Sequence, residues 1–100
     1  MRVLLATRDL FFRSKLGAVV QAAGGELTRD EAACDIVVQD VEAPGAVDRI
    51  RGLVLQGIAV LAFGPHVRAE LLRAARDAGA TAVPNSQVEE ALRQFLETST

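Results

Sequence analysis

The sequence predicts an α/β protein in which a parallel sheet is covered by helices on both faces, and three observations point to it. Short apolar runs, such as VLLA at residues 3–6 and IVV at residues 36–38, have the length and composition of strands buried on both faces. The segments between such runs carry apolar residues at helical spacing. The chain has 100 residues, half of them hydrophobic, which suits a single domain over positions 1–100.

The first strand, at residues 3–6, leads into a helix that Asp9 can cap with its side-chain oxygen. An apolar stripe follows at helical spacing, at Phe12, Leu16, Val19, Val20 and Ala23. Phe11 falls beside this stripe, so we expect it to be partly exposed and to mark a contact surface. Gly24 and Gly25 end the helix, and residues 26–29 form a short, polar edge strand.

Residues 30–33 leave room for barely one helical turn before the next strand, at residues 36–38, which ends at Gln39 and Asp40. A loop containing Pro44 and Gly45 leads into a helix over residues 46–56, with its apolar side at Ile50, Leu53 and Val54. Residues 58–63 form the fourth strand.

The last part of the chain continues the alternation of helix and strand. The fourth helix carries one apolar side, at Val67, Leu71, Leu72, Ala75 and Ala78. Thr81–Pro84 forms the fifth strand, and Ser86 and Glu89 have the spacing of a capping box. The final helix turns Val88, Leu92, Phe95 and Leu96 inward. Right-handed crossovers favour the flavodoxin-like three-layer arrangement, with five strands in the order 2-1-3-4-5.

Composition and charge exclude several classes of function. A net charge of -2 draws the protein neither to nucleic acid nor to an anionic membrane. Cys34 is the one cysteine, so no disulfide forms within the chain, and we expect it to act as a small structural hydrophobe. No secretory leader opens the sequence, which predicts a cytoplasmic protein. No acid–base pair, nucleophile–base pair or cofactor motif is evident, so we expect no enzyme activity, cofactor or metal.

Four stretches together resemble the receiver domain of bacterial response regulators. They are RVLLATRD at residues 2–9, DIVVQDVEAPG at residues 35–45, AVLAFG at residues 59–64 and AARDAGA at residues 74–80. The resemblance covers nearly the whole chain and places Asp40 at the position of the phosphoacceptor aspartate. It also implies that the helix which receivers have between their second and third strands is shortened or missing here.

Two departures from the receiver pattern concern metal binding and the conformational switch. Receivers hold magnesium with acidic residues after the first strand, where this chain has Thr7 and Arg8, with Asp9 just beyond. Receivers bind the phosphoryl group with a hydroxyl at the end of the fourth strand, where this chain has Phe63 and Gly64.

A third departure is the lysine that receivers have after their fifth strand. Ser86 stands there, and the one lysine of the chain, Lys15, lies on the first helix. The resemblance therefore implies a degenerate receiver, acting as a non-enzymatic protein-interaction module in bacterial signalling or regulation. One alternative is a true receiver that is phosphorylated on Asp40. Another is a small-ligand binder in the crevice between Thr7, Asp40 and Phe63.

Three further expectations follow from the sequence. Arg8 either neutralises Asp40 across the strand ends or is solvated, and both interpretations stay open. His66 has no partner pattern and is expected to be an exposed residue at a helix start. The short segment before the third strand should leave the sheet thinly covered near Leu27 and Ile36, which favours a homodimer through that face.

Overall fold

The computed structural model describes residues 1–98, which form a five-stranded sheet and four α-helices. The strands are β1 (Arg2–Ala6), β2 (Glu26–Leu27), β3 (Ile36–Asp40), β4 (Ala59–Gly64) and β5 (Thr81–Pro84). The helices are α1 (Leu10–Ala22), α2 (Ala46–Leu55), α3 (Ala69–Asp77) and α4 (Val88–Thr98). Single 3-10 turns lie at Glu31–Ala33, His66–Arg68 and Asn85–Gln87. No helix in residues 1–98 is both long enough and apolar enough to cross a membrane.

The sheet is parallel throughout and has the order β2-β1-β3-β4-β5. This confirms the predicted flavodoxin-like arrangement. Val3 of β1 pairs with Ile36 of β3, and Asp40 pairs with Phe63 of β4. Because all strands run the same way, their carboxyl ends meet at one edge of the sheet, where open α/β sheets place their sites.

Each face of the sheet carries one pair of helices. On one face, α1 and α4 cover a cluster that contains Leu16, Val38, Phe63 and Leu92. On the other face, α2 and α3 cover a second cluster, to which Leu4, Val37, Ile50, Leu53, Leu72 and Ala75 belong. Successive residues of β3 alternate between the two clusters, as expected for a strand buried on both faces.

Several local predictions are confirmed. The Asp9 side chain accepts hydrogen bonds from the backbone amides of Phe11 and Phe12, and so caps α1. Gly24 ends that helix in a left-handed conformation, with φ of 79°. His66 is exposed at the start of a 3-10 turn.

Two local predictions are wrong. Ser86 does not form a capping box with Glu89, because residues 85–87 form a 3-10 turn and Glu89 pairs with Lys15 instead. Val67 is 74% exposed instead of lying on the apolar side of a helix. The chain after Pro65 first makes a 3-10 turn, so α3 begins two residues later than Val67, with a different phase.

The shortened helix is confirmed, because a 3-10 turn at Glu31–Ala33 is the whole connection between β2 and β3 besides loop. Asp30 caps this turn by accepting from the Ala32 amide. The expected thin cover near Leu27 and Ile36 is confirmed at Leu27 and wrong at Ile36. Ile36 is fully buried in the cluster under α1 and α4, whereas Leu27, which lies beside Gly17 of α1, is 46% exposed and lines an opening of the surface. The missing helix leaves this opening at the carboxyl ends of β1 and β3.

Candidate functional site

Asp40 lies at the carboxyl end of β3, beside Thr7 at the end of β1, as predicted for two neighbouring parallel strands. The Thr7 hydroxyl donates to Asp40 Oδ2 at 3.3 Å, and the Glu42 backbone amide donates to Oδ1 at 2.9 Å. Thr7 is buried and Asp40 is half-buried. Both carboxylate oxygens therefore already accept hydrogen bonds from within the chain.

Asp9, the nearest acidic residue after β1, is used in helix capping. Its Oδ1 accepts from the amide of Phe11 at 2.9 Å and from that of Phe12 at 3.3 Å, while its own amide donates to Thr7 Oγ1 at 3.2 Å. The carboxylate thus faces the first turn of α1. In the described part of the chain, residues 1–98, no three His, Cys, Asp or Glu side chains come together as a metal site would require.

Arg8 makes no ion pair with Asp40, so of the two interpretations the solvated one holds: its side chain is exposed. Arg13 was missed by the sequence reasoning and lies deeper. Its Nη1 donates to the carbonyl oxygens of Leu5 at 3.3 Å and Thr7 at 3.1 Å. The sequence feature that could have revealed Arg13 is its position four residues after Asp9, the N-cap of α1. Side chains at this spacing lie on the same side of a helix, so Arg13 points back toward the end of β1.

The two residues at the end of β4 are both packed, for different reasons. Phe63 is 1% exposed and lies on the α1 and α4 face, with its ring centroid 5.1 Å from that of Phe12. At Gly64, a Cβ would come within 2.4 Å of Val41 Cγ2. No side chain fits there without movement of Val41. Ser86 is exposed in the 3-10 turn that follows β5.

A cleft of about 1290 Å³ opens where the shortened connection leaves β1 and β3 uncovered. It is lined by residues 4–8, Arg13, residues 27–29, Glu31, Gln39, Asp40, residues 42–44 and Arg49. Thr7 and Asp40 are therefore in the cleft as expected, but Phe63 is not, because its side chain enters the opposite core.

Gln39 is a second cleft residue that the sequence reasoning missed. Its side chain is 2% exposed, its Nε2 donates to the Asp40 carbonyl at 3.0 Å, and its Oε1 has no hydrogen-bond partner. The sequence feature that could have revealed Gln39 is its position directly after the buried apolar residues of β3. A buried amide oxygen without a donor is rare in proteins and calls for an explanation.

Cys34 packs against the α2 and α3 cluster, which agrees with its expected structural role. Its Sγ donates to the backbone oxygen of Glu31 at 3.2 Å, and burial is the main cause that raises the pKa of the thiol. At neutral pH the group is therefore a protonated thiol and a weak nucleophile.

The similarity of this chain to known proteins is found among solved structures. No family model and no curated protein matches the chain. Among solved structures, the receiver domain of the TMAO respiratory system response regulator TorR is similar, with a TM-score of 0.79, 11% identity, and coverage of 98% of this chain and 95% of that one. The receiver domain of NtrX from Brucella abortus gives a TM-score of 0.78 at 16% identity, covering 97% and 96%.

A third neighbour is the beryllofluoride-activated NtrC4 receiver domain dimer. It has a TM-score of 0.78 and 17% identity, covering 98% of this chain and 94% of that one. The resemblance seen in the sequence is thereby confirmed at the level of the fold: the chain has the fold of a response-regulator receiver domain.

Proposed function

We propose that this chain is a degenerate receiver of the bacterial cytoplasm, which works by binding other proteins and is not switched by phosphorylation. The proposal rests on the residues around Asp40, which are already bonded or packed in other roles. Phosphoryl transfer depends on metal ions and cationic groups that stabilise charge on the equatorial oxygens. Here the nearest acidic residue, Asp9, caps α1, and a hydroxyl-bearing side chain at Gly64 would collide with Val41.

The one lysine is also engaged elsewhere. Lys15 Nζ pairs with Glu89 of α4 and lies 4.7 Å from the centroid of the Phe11 ring. A phosphoryl group on Asp40 would have few groups through which to favour one conformation, and a ligand shifts an equilibrium only by its differential contacts with the two states. We therefore expect one constitutive conformation.

The test is a pair of amide NMR spectra, with and without magnesium and beryllofluoride. The proposal predicts no shifts, or shifts only at residues that touch Asp40. Large shifts that spread from Asp40 through residues 64–86, and that Asp40→Asn removes, would overturn it and support the true-receiver alternative. Asp40 is half-buried at the edge of an open cleft, so the reagent can reach it.

Self-association is the simplest form that such binding can take, because a two-fold interface needs one self-complementary patch. Ile36 cannot be part of such a patch, because α1 and α4 cover it. The start of α1 is the better surface: Leu10 is 79% exposed and Phe11 is 62% exposed. Sedimentation velocity should show a dimer that Phe11→Ser weakens, and a strict monomer at high micromolar concentration would contradict a homodimer.

A further inference from the structure

Two of the three acidic residues that line the cleft form ion pairs with arginines. Glu31 Oε1 forms an ion pair with Arg49 Nη2 at 3.0 Å, and Glu42 Oε2 lies 3.6 Å from a guanidinium nitrogen of Arg68. Asp40 accepts hydrogen bonds on both of its oxygens. Glu31 and Glu42 are thus compensated by arginines, whereas the groups that bind Asp40 are neutral and leave its charge in place.

Three arginines of the cleft have no such compensation. Arg13 donates only to backbone carbonyls, which carry no net charge. Arg8 and Arg29 are exposed, and neither has a hydrogen bond or ion pair to any other residue within 1–98. All three line the cleft on its β1 side, and the one cleft carboxylate without an ion pair is that of Asp40, so positive charge remains in excess.

The floor of the same cleft contains an acceptor without a donor. Gln39 lies between Ala6 and Ala62 in the sheet register, so its neighbours on the adjacent strands have small side chains. Its Oε1 has no partner and is shielded from solvent, while its Nε2 donates to the Asp40 carbonyl, so a ligand donor reaches Oε1 only when the side chain turns and gives up that bond. Leu4, Ala6 and Pro44 add apolar surface around it.

We propose that this cleft binds a small organic anion. Its acidic group pairs with the arginines on the β1 side, its N–H or O–H donates to Gln39 Oε1, and its apolar part covers Leu4 and Ala6. Such a mixture of apolar surface and a few placed polar groups is typical of ligand sites. The proposal goes beyond the protein-binding function and does not depend on it.

A suitable probe is 1-anilinonaphthalene-8-sulfonate, which has a sulfonate, one N–H and two aromatic units, and whose fluorescence rises in apolar sites. We expect saturable binding of one molecule, with amide shifts at residues 4–13, 27–31 and 39–44. Retention of dispersed amide spectra shows that the dye binds the folded protein.

The variant Arg8→Gln/Arg29→Gln should weaken binding about tenfold, since each exposed charge pair contributes up to about 1 kcal/mol. The control Arg51→Gln/Arg93→Gln makes the same change in net charge at exposed arginines of α2 and α4, outside the cleft, and should leave the affinity unchanged.

Three results would overturn the proposal. The first is equal weakening in both double variants, because net charge alone would then explain binding. The second is a set of shifts confined to a separate groove between β5 and α4, which Thr81, Val83, Glu90 and Gln94 help to line. The third is a dependence of the cleft resonances on protein concentration without dye, because a second copy would then occupy the cleft.

Discussion

Replacement of Gly64 by alanine tests whether the end of β4 excludes every side chain. The added Cβ would lie 2.4 Å from Val41 Cγ2, whereas its other neighbour, Leu72 Cδ2, would be at a comfortable 3.8 Å. Carbon atoms in contact prefer roughly 3.5–4.0 Å, so the valine must move by about 1 Å or more. Val41 is 3% exposed and has packed neighbours that resist the movement. Gly64 has no positive φ, so the whole cost is steric.

We predict that Gly64→Ala lowers the free energy of unfolding by about 1–3 kcal/mol, the usual range for overpacking a core. For a domain of this size, each kcal/mol corresponds to a fall of about 4–8 °C in Tm. Gly52→Ala is the matched control. It adds the same methyl group inside α2, where no atom lies within 4 Å, and should stabilise the protein by about 0.5–1 kcal/mol.

A double-mutant cycle with Val41→Ala identifies the cause. Removal of the valine methyl groups should make Gly64→Ala less costly, with a coupling of about 0.5–3 kcal/mol. An equal cost in both backgrounds, or an unchanged Tm for Gly64→Ala alone, would refute the steric argument. Serine has the same Cβ as alanine, so Gly64→Ser would collide with Val41 in the same way. A single substitution therefore could not restore a hydroxyl at this position without loss of stability.

Three further outcomes are expected. Val38→Asp should cost several kcal/mol and unfold the domain in circular dichroism, because Val38 is fully buried, whereas Leu55→Asp, at a position that is 83% exposed, should leave Tm nearly unchanged. Thr7→Val should lower the unfolding free energy in urea by about 1–2 kcal/mol more than Thr28→Val, whose hydroxyl accepts a similar amide bond at a more exposed turn. The raised pKa of Cys34 predicts slow reaction of its thiol with a disulfide reagent at pH 8, and a fast reaction in the native state would contradict this. The same shift contributes to the free energy of unfolding below the thiol's unfolded pKa, and this contribution is lost as pH rises through the higher folded pKa.

The order and pairing of the strands could be predicted because each signal was local and strong. The run at Ile36–Asp40 is apolar and β-branched, and right-handed crossovers then leave few arrangements for parallel strands. The short 3-10 turn before it could also be predicted, because four residues cannot form a regular helix. The face that this turn leaves open could not. Side chains alternate at every residue of a strand, so the face of Ile36 depends on a register that only the structure supplies.

At the carboxyl edge, sequence spacing left the partner of Asp40 open and gave the wrong partner for Ser86, because more than one arrangement competed for the same group. Asp40 could have paired with Arg8, but Thr7 and the backbone of Glu42 are closer neighbours in the folded chain. Ser86 has the right spacing for a capping box, but the chain after Pro84 makes a 3-10 turn first. Such choices depend on differences of about 1 kcal/mol between alternative hydrogen bonds, which sequence spacing does not resolve.

The hydrogen bonds at this edge bear on where a partner can bind most favourably. Thr7, Asp9 and Asp40 already satisfy one another and the start of α1, so a ligand for them must replace bonds that the free protein makes. Arg29 makes no such bonds, so a ligand there gains contacts without breaking comparable ones, and a ligand donor on Gln39 Oε1 replaces one bond, from Gln39 Nε2 to the Asp40 carbonyl. Binding on the β1 side of the cleft can therefore proceed while the hydrogen bonds of the Asp40 carboxylate stay intact.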